Sequence, residues 1–211
     1  MKSWKSTTII ILLILIIGIS IYLVYTTWLV SSISERMAMA VHPFVPNPSN
    51  IQTDSIEQIA LAWKKYGDND NRKLAYILAT AYHESSFEAK KEYRANPLSQ
   101  PALYNTQNAY WYTNYYGRGY IQLTHKSNYQ KMTDFLGVDL VNNPDLALHP
   151  KYAAQILVYG MMTGQFGNKK QLSYYINDNN KDYYNARRLV NGTDKAQTIA
   201  NYSETIEKGL K

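Results

Sequence analysis

The chain has 211 residues, no Cys, 20 Tyr and a formal net charge of +6 from 22 Lys+Arg against 16 Asp+Glu. That length suits one domain of ordinary size plus an appendage, and the lack of Cys excludes a disulfide scaffold, Cys-ligated zinc and thiol catalysis. All acids lie beyond residue 30, as do all bases except Lys2 and Lys5, and no basic run exists, so no nucleic-acid partner is expected.

From Ser6 to Ser34 no side chain is charged, and Ile9 to Tyr25 is almost continuously Ile, Leu and Val. About 20 apolar residues cross a hydrocarbon core as a helix. Residues 7–30 are therefore expected to form a transmembrane helix in contact with a lipid bilayer. Lys2 and Lys5 place residues 1–6 in the cytoplasm and the bulk of the chain on the extracytoplasmic side of a host or virion membrane, as a single-pass protein. Trp4, Tyr25 and Trp28 are positioned as interfacial anchors. Ala38-Met39-Ala40 has the small-x-small form of a signal cleavage site, but signal cores run about 7–15 residues and this one is longer. Release from the bilayer, as in some phage lysis enzymes, is the third possibility, and the Ile-rich span disfavours it.

Residues 31–50 carry three prolines between His42 and Asn50 and read as an extended linker. The folded domain is expected over 51–211. Asp54 or Ser55 caps a first helix with Ile56, Ile59, Ala60 and Trp63 on one face, stopped by Gly67. A second helix follows Asp70-Asn71 with Leu74, Ile77, Leu78 and Ala81 at helical spacing. Further helices are predicted from Ser127 to Leu136, from Pro150 to Gly164 and from about Asp194. Tyr120 to Leu123 reads as a short extended piece, and residues 93–116 as a long polar loop. The expected class is mainly α, a single α-rich domain after one membrane helix.

Glu84 ends an apolar helix, where partial desolvation raises a carboxyl pKa and keeps a proton available; taken alone, it reads first as an ordinary helix-end glutamate. Glycoside hydrolysis needs two carboxyl groups, about 5–5.5 Å apart for retention or 6.5–9.5 Å for inversion. Glu88 lies one helical turn on. Glu92 would lie about 12 Å along an unbroken helix and needs the chain to turn back; spacing does not choose between them. His83-Glu84 lacks the second His of a zinc protease motif, since Phe87 stands there, so no metal is expected. A Tyr- and Gly-rich cluster from Tyr115 to His125 offers neutral hydrogen-bonding groups at Gln122, Thr124 and Asn128. Asn191-Gly192 reads as a helix end or a further contact.

Taken in order, Ala81-Tyr82-His83-Glu84-Ser85-Ser86, Tyr115-Tyr116-Gly117-Arg118-Gly119-Tyr120-Ile121-Gln122-Leu123-Thr124-His125 with Asn128-Tyr129, and Arg187-Arg188-Leu189-Val190-Asn191-Gly192 resemble family 19 glycoside hydrolases, in their small bacterial and phage branch of chitinase-like lysis enzymes (endolysins). Gly137-Val138-Asp139-Leu140 and Asn143-Pro144-Asp145-Leu146-Ala147 fit the same pattern. The resemblance covers roughly residues 51–211. It implies a lysozyme-like fold and inverting attack on a β-1,4-linked N-acetylhexosamine polymer, with no cofactor. Carried over, Glu84 is the general acid, Glu92 the general base and Thr124 the hydroxyl holding the attacking water. Gln122, Asn128 and Asn191 match substrate contacts, and Tyr116 and Arg118 belong to the same substrate-binding set as residues that support the site rather than touch sugar. The Arg that plant-type enzymes carry in the last helix is missing from Thr198-Ile199-Ala200-Asn201-Tyr202, and their disulfides are absent.

These readings together predict a membrane-anchored hydrolase of peptidoglycan glycan strands, or of chitin oligomers, acting in phage lysis or infection or in wall remodelling. Glu84-Ser85-Ser86-Phe87 also resembles the motif of lytic transglycosylases, which use one glutamate. A third reading, a catalytically dead glycan-binding membrane protein, is favoured if Glu84 sits in a salt bridge away from any cleft.

Overall fold

The computed structural model describes residues 2–167 and 169–211, with side chains from Thr8 onward. The side chains of Lys2, Trp4 and Lys5, and Met1 of the expected cytoplasmic segment, lie outside the described residues. The long first helix, α1 (Lys2–Val41), runs for 40 residues. Its apolar stretch, Thr8–Val41, is long and apolar enough to cross a membrane, and Ile9 through Tyr25 lie exposed along it.

The far end of α1 behaves differently. Met37, Ala40 and Val41 are fully buried in the domain core, against α2 (Asn50–Tyr66) and α8 (Ala196–Gly209). Gly209 makes that approach possible, since a Cβ there would lie 2.7 Å from Ala40 Cα. Arg36 Nη2 donates to Leu210 O at 2.9 Å, and Lys64 Nζ donates to Thr26 O at 3.3 Å. The linker expected over 31–50 is therefore corrected. Residues up to Val41 stay helical because their apolar face has a partner. The following turn folds back with Phe44 N–H and Val45 N–H donating to Val41 O. Phe44 then packs on Tyr82 and Tyr202 at ring distances of 5.3 and 4.9 Å.

α2 starts at Asn50, earlier than the expected caps at Asp54 or Ser55. Ser49 forms a reciprocal capping box with Gln52, which satisfies two backbone donors at the helix start. Ile56, Ile59, Ala60 and Trp63 are buried as their spacing predicts, and Gly67 N–H closes the helix on Trp63 O at 2.7 Å. α3 (Asn71–Ser85) begins at the Asp70 cap and is the central helix, with every residue from Lys73 to Ala81 buried. It packs along α8, while α2 packs along α6 (Pro150–Thr163).

Between these lie α4 (Pro101–Asn108), a 3₁₀ turn at Trp111–Thr113, α5 (Lys126–Leu136) and the short α7 (Tyr183–Ala186). Two two-residue strands, β1 (Lys90–Lys91) and β2 (Arg118–Gly119), pair antiparallel. The 93–116 stretch is thus partly helical. Tyr120 to Leu123 is a tight turn closed by exchanged Arg118–Leu123 backbone bonds at 3.2 and 2.9 Å, where an extended piece was expected. The expected α-rich class holds.

Candidate active site

α3 ends at Ser85, and the next two residues, Ser86 and Phe87, both take left-handed backbone conformations with φ of 54° and 60°. Two such residues in succession reverse the chain, an unfavourable conformation for a bulky side chain. Full burial of Phe87 offsets it, since burying a side chain of that size stabilises by about 1.5–3 kcal/mol. The reversal sends the chain into β1, whose pairing with β2 sets Glu92 beside Gly117, with Glu92 N–H donating to Gly117 O at 2.8 Å. The turn that the Glu92 assignment required is present.

Three donors grip the Glu92 carboxylate. Gln107 Nε2 and Tyr110 OH donate to Oε1 at 2.9 and 2.7 Å, and Gly117 N–H donates to Oε2 at 2.9 Å. Burial, together with the neighbouring carboxylate, raises the Tyr110 phenol well above its ordinary value, so it remains a donor. Gly117 is required by space, because a Cβ there would meet Gln122 Oε1 at 2.7 Å and Glu92 Oε2 at 3.2 Å.

Glu84, at the last turn of α3, pairs with Arg187 Nη1. Arg187 is buried and also donates from Nε to Asp194 O at 3.1 Å. Burial lowers the pKa of the adjacent His83, leaving it neutral at pH 7. Glu84 is therefore in an ion pair, but it lines the cleft rather than lying apart from it.

The remaining groups are tied to one another. Gln122, itself at φ 54°, donates from Nε2 to Lys90 O and Gly119 O at 3.0 and 3.1 Å. Thr124 Oγ1 donates to Gln122 O at 2.8 Å, and Asn128 Nδ2 donates to Thr124 O at 2.9 Å. Asn191 N–H donates to Arg187 O at 3.0 Å. One cleft of about 670 Å³ is lined by Glu84, Glu92, Gln122, Thr124, Asn128 and Asn191 together, a volume typical of small-ligand sites. Glu88 is not among its lining residues.

Tyr116 and Arg118, placed beside the substrate contacts by sequence, do not line this cleft. Arg118 is buried and fully engaged, from Nε to Asp145 Oδ1 at 2.8 Å and from Nη1 to Asn114 O and the Tyr129 hydroxyl at 2.9 and 3.1 Å. Its guanidinium lies 4.0 Å from the Tyr116 ring centre, and that ring stacks on Trp111. A guanidinium with its donors spent on the protein braces the loop and has little left for a sugar. Sequence reasoning missed Gln107 and Tyr110, which hold Glu92, and Lys131, Gln165 and Lys169, which line the cleft. No local signal marks Gln107 or Tyr110, because only the chain reversal at Ser86-Phe87 brings Glu92 to them. Among the described residues no three His, Asp or Glu side chains gather as metal ligands do.

The site is thus a polar cleft with two carboxylates, opened by an α-rich domain. The family model for class I chitinases, glycoside hydrolase family 19, matches residues 66–177, more than half of the chain, and the chain belongs to that family. Chitinase 11 of Oryza sativa subsp. japonica is 58% identical over 52 residues, which are 24% of this chain and 20% of that one. Acidic endochitinase pcht28 of Solanum chilense is 52% identical over 54 residues, 24% of this chain and 21% of its own. The matches thus span about a fifth of these curated relatives. A bacterial family 19 chitinase shares the fold at a TM-score of 0.57 and 20% identity, over 81% of this chain and 92% of that one. Chitinase C from Streptomyces griseus HUT6037 gives 0.55 and 25%, over 81% and 90%.

Proposed function

We propose that this chain is a membrane-anchored glycan hydrolase that cuts β-1,4 bonds in peptidoglycan by inverting acid/base catalysis. The observation that carries the reading is the meeting of Glu84 and Glu92 in one cleft, with Gln122, Thr124, Asn128 and Asn191 around them. Family membership and the endochitinase relatives support a glycan polymer of N-acetylhexosamine as substrate.

In this mechanism Glu84, ion-paired with Arg187 before substrate enters, takes up a proton as the glycan binds and donates it to the leaving glycosidic oxygen as the bond to C1 breaks. Glu92 takes a proton from a water held by Thr124, and that water's oxygen bonds to C1 from the opposite face. The products together carry one added water. Gln122, Asn128 and Asn191 hold sugar hydroxyl and acetamido groups. The bonds that position Glu92, Thr124 and Asn128 are made without substrate, so little reorganisation is needed when it binds. α1 supports the anchored state, since its apolar stretch exceeds the length a bilayer needs. An anchored wall-cutting domain suits phage lysis, the start of infection, or wall remodelling.

The test is mass spectrometry of purified peptidoglycan digested by the full-length protein in detergent, beside Glu84→Gln. Reducing muropeptides from wild type alone are expected. Anhydro products would make the protein a lytic transglycosylase using Glu84 alone. Binding without cleavage of either peptidoglycan or chitin oligomers would leave a glycan-binding protein.

A further inference from the structure

Lys131, on α5, lines the cleft and is half-buried. Its ammonium donates to Asn128 Oδ1 at 3.4 Å and to Gln165 O at 3.2 Å, both neutral acceptors. Lys73, Lys91, Lys181 and Lys211 all reach a carboxylate; among the described residues, no ion pair includes Lys131. Lys169 lines the same cleft from an exposed position and is likewise in no carboxylate pair among them. Glu84, by contrast, has Arg187 as its ion-pair partner.

A half-buried cation whose acceptors among the described residues are neutral has lost hydration without a carboxylate in direct contact, so an anion entering the cleft gains more there than beside a solvated lysine. A plain N-acetylglucosamine polymer offers no anion. Peptidoglycan does: every second sugar bears a lactyl ether that ends in a carboxylate or continues as a carboxylate-bearing peptide. We infer that Lys131, with Lys169 on the same cleft, binds that anionic branch and so selects the substituted glycan over the plain one. The inference rests on the hydrolase reading above.

The experiment compares wild type, K131Q, K131R and E84Q, all full-length in detergent. Substrates are purified sacculi, sacculi whose carboxylates have been converted to neutral amides, and chitohexaose. If wild type produces no more reducing ends than E84Q from any of them, the hydrolase reading fails before Lys131 is judged. With wild type active, K131Q is expected to raise KM on native sacculi. Its sacculus-to-chitohexaose ratio of kcat/KM should fall at least tenfold, and K131R should recover most of the loss. Wild type and K131Q should cut the neutralised sacculi alike. Added salt should raise KM on native sacculi more steeply for wild type than for K131Q, because screening weakens only the contact that exists. Equal losses on sacculi and chitohexaose would show that Lys131 merely positions Asn128, and would overturn the inference. A wild type that cuts chitohexaose and not sacculi would overturn it too.

Discussion

At Glu92 the cleft depends on residues that chemistry alone would not have picked. Gln107, Tyr110 and the Gly117 N–H fix the carboxylate, so its aim is set before substrate arrives. Glu92→Gln is expected to lower kcat by about 10²–10⁴, the range for one acid or base, with KM changed by much less; steady-state kinetics on chitohexaose reads both. Gly117→Ala tests the space argument. Its methyl would push on Gln122 Oε1, so kcat/KM should fall at least about tenfold while the melting temperature moves by a few degrees at most. An unchanged kcat/KM would mean that Gln122 has room to shift. Gln122, Thr124, Asn128 and Asn191 were legible as polar groups in short glycine-bearing motifs. Gln107 and Tyr110 were not, because their partner is 15 and 18 residues away in sequence and the pairing follows from a turn no pattern announces.

Among the elements, α2, α3, α5, α6 and α8 were visible because an apolar face repeats at helical spacing and a glycine or a capping residue punctuates most of them. α4 was hidden in a polar stretch, where only tertiary contacts select a helix. The turn after α3 is the element on which the cleft hangs. Phe87→Ala keeps the left-handed strain and loses the anchor, so it should cost about 3–5 kcal/mol. Phe87→Gly loses the same anchor but relieves the strain, and should be less destabilised than the alanine variant by about 1–2 kcal/mol. Chemical denaturation of both variants checks the order; the reverse order would show that strain at Phe87 is negligible. At the start of α2, Ser49→Ala removes one half of the capping box and should cost about 1 kcal/mol.

For the whole molecule, acid is the expected weak point. Asp145 is held below the usual carboxylate range by Lys91 and Arg118. Glu207 is held low by Lys181 and Tyr183 against the opposing effect of burial, and Asp70 likewise by Arg72. Groups lowered on folding stabilise fully above their unfolded values of 3.8 for Asp and 4.5 for Glu, and that stability is lost as pH falls through the folded values. His83, lowered by burial, adds a smaller loss that begins near pH 6.5. The melting temperature should therefore be flat above about pH 7, decline gently to pH 5 and fall steeply below about pH 4.5; a flat profile down to pH 3 would contradict these assignments.

The helical class was readable in advance, but the join between α1 and the rest of the domain was not. Prolines after residue 42 pointed to slack, whereas Met37, Ala40 and Val41 bind the helix end into the core. The expected span of 7–30 is too long at its far end, because Thr26 touches Lys64 of the domain; in the anchored state, Ile9–Tyr25 would cover about 26 Å of bilayer at 1.5 Å per residue. Anchored in this way, the domain would stand on a mast rather than swing on a leash. Its cleft would travel at one altitude above the lipid, and it would find new bonds by drifting sideways with the bilayer. Glycan layers beyond that altitude would stay out of range until the nearer ones were gone.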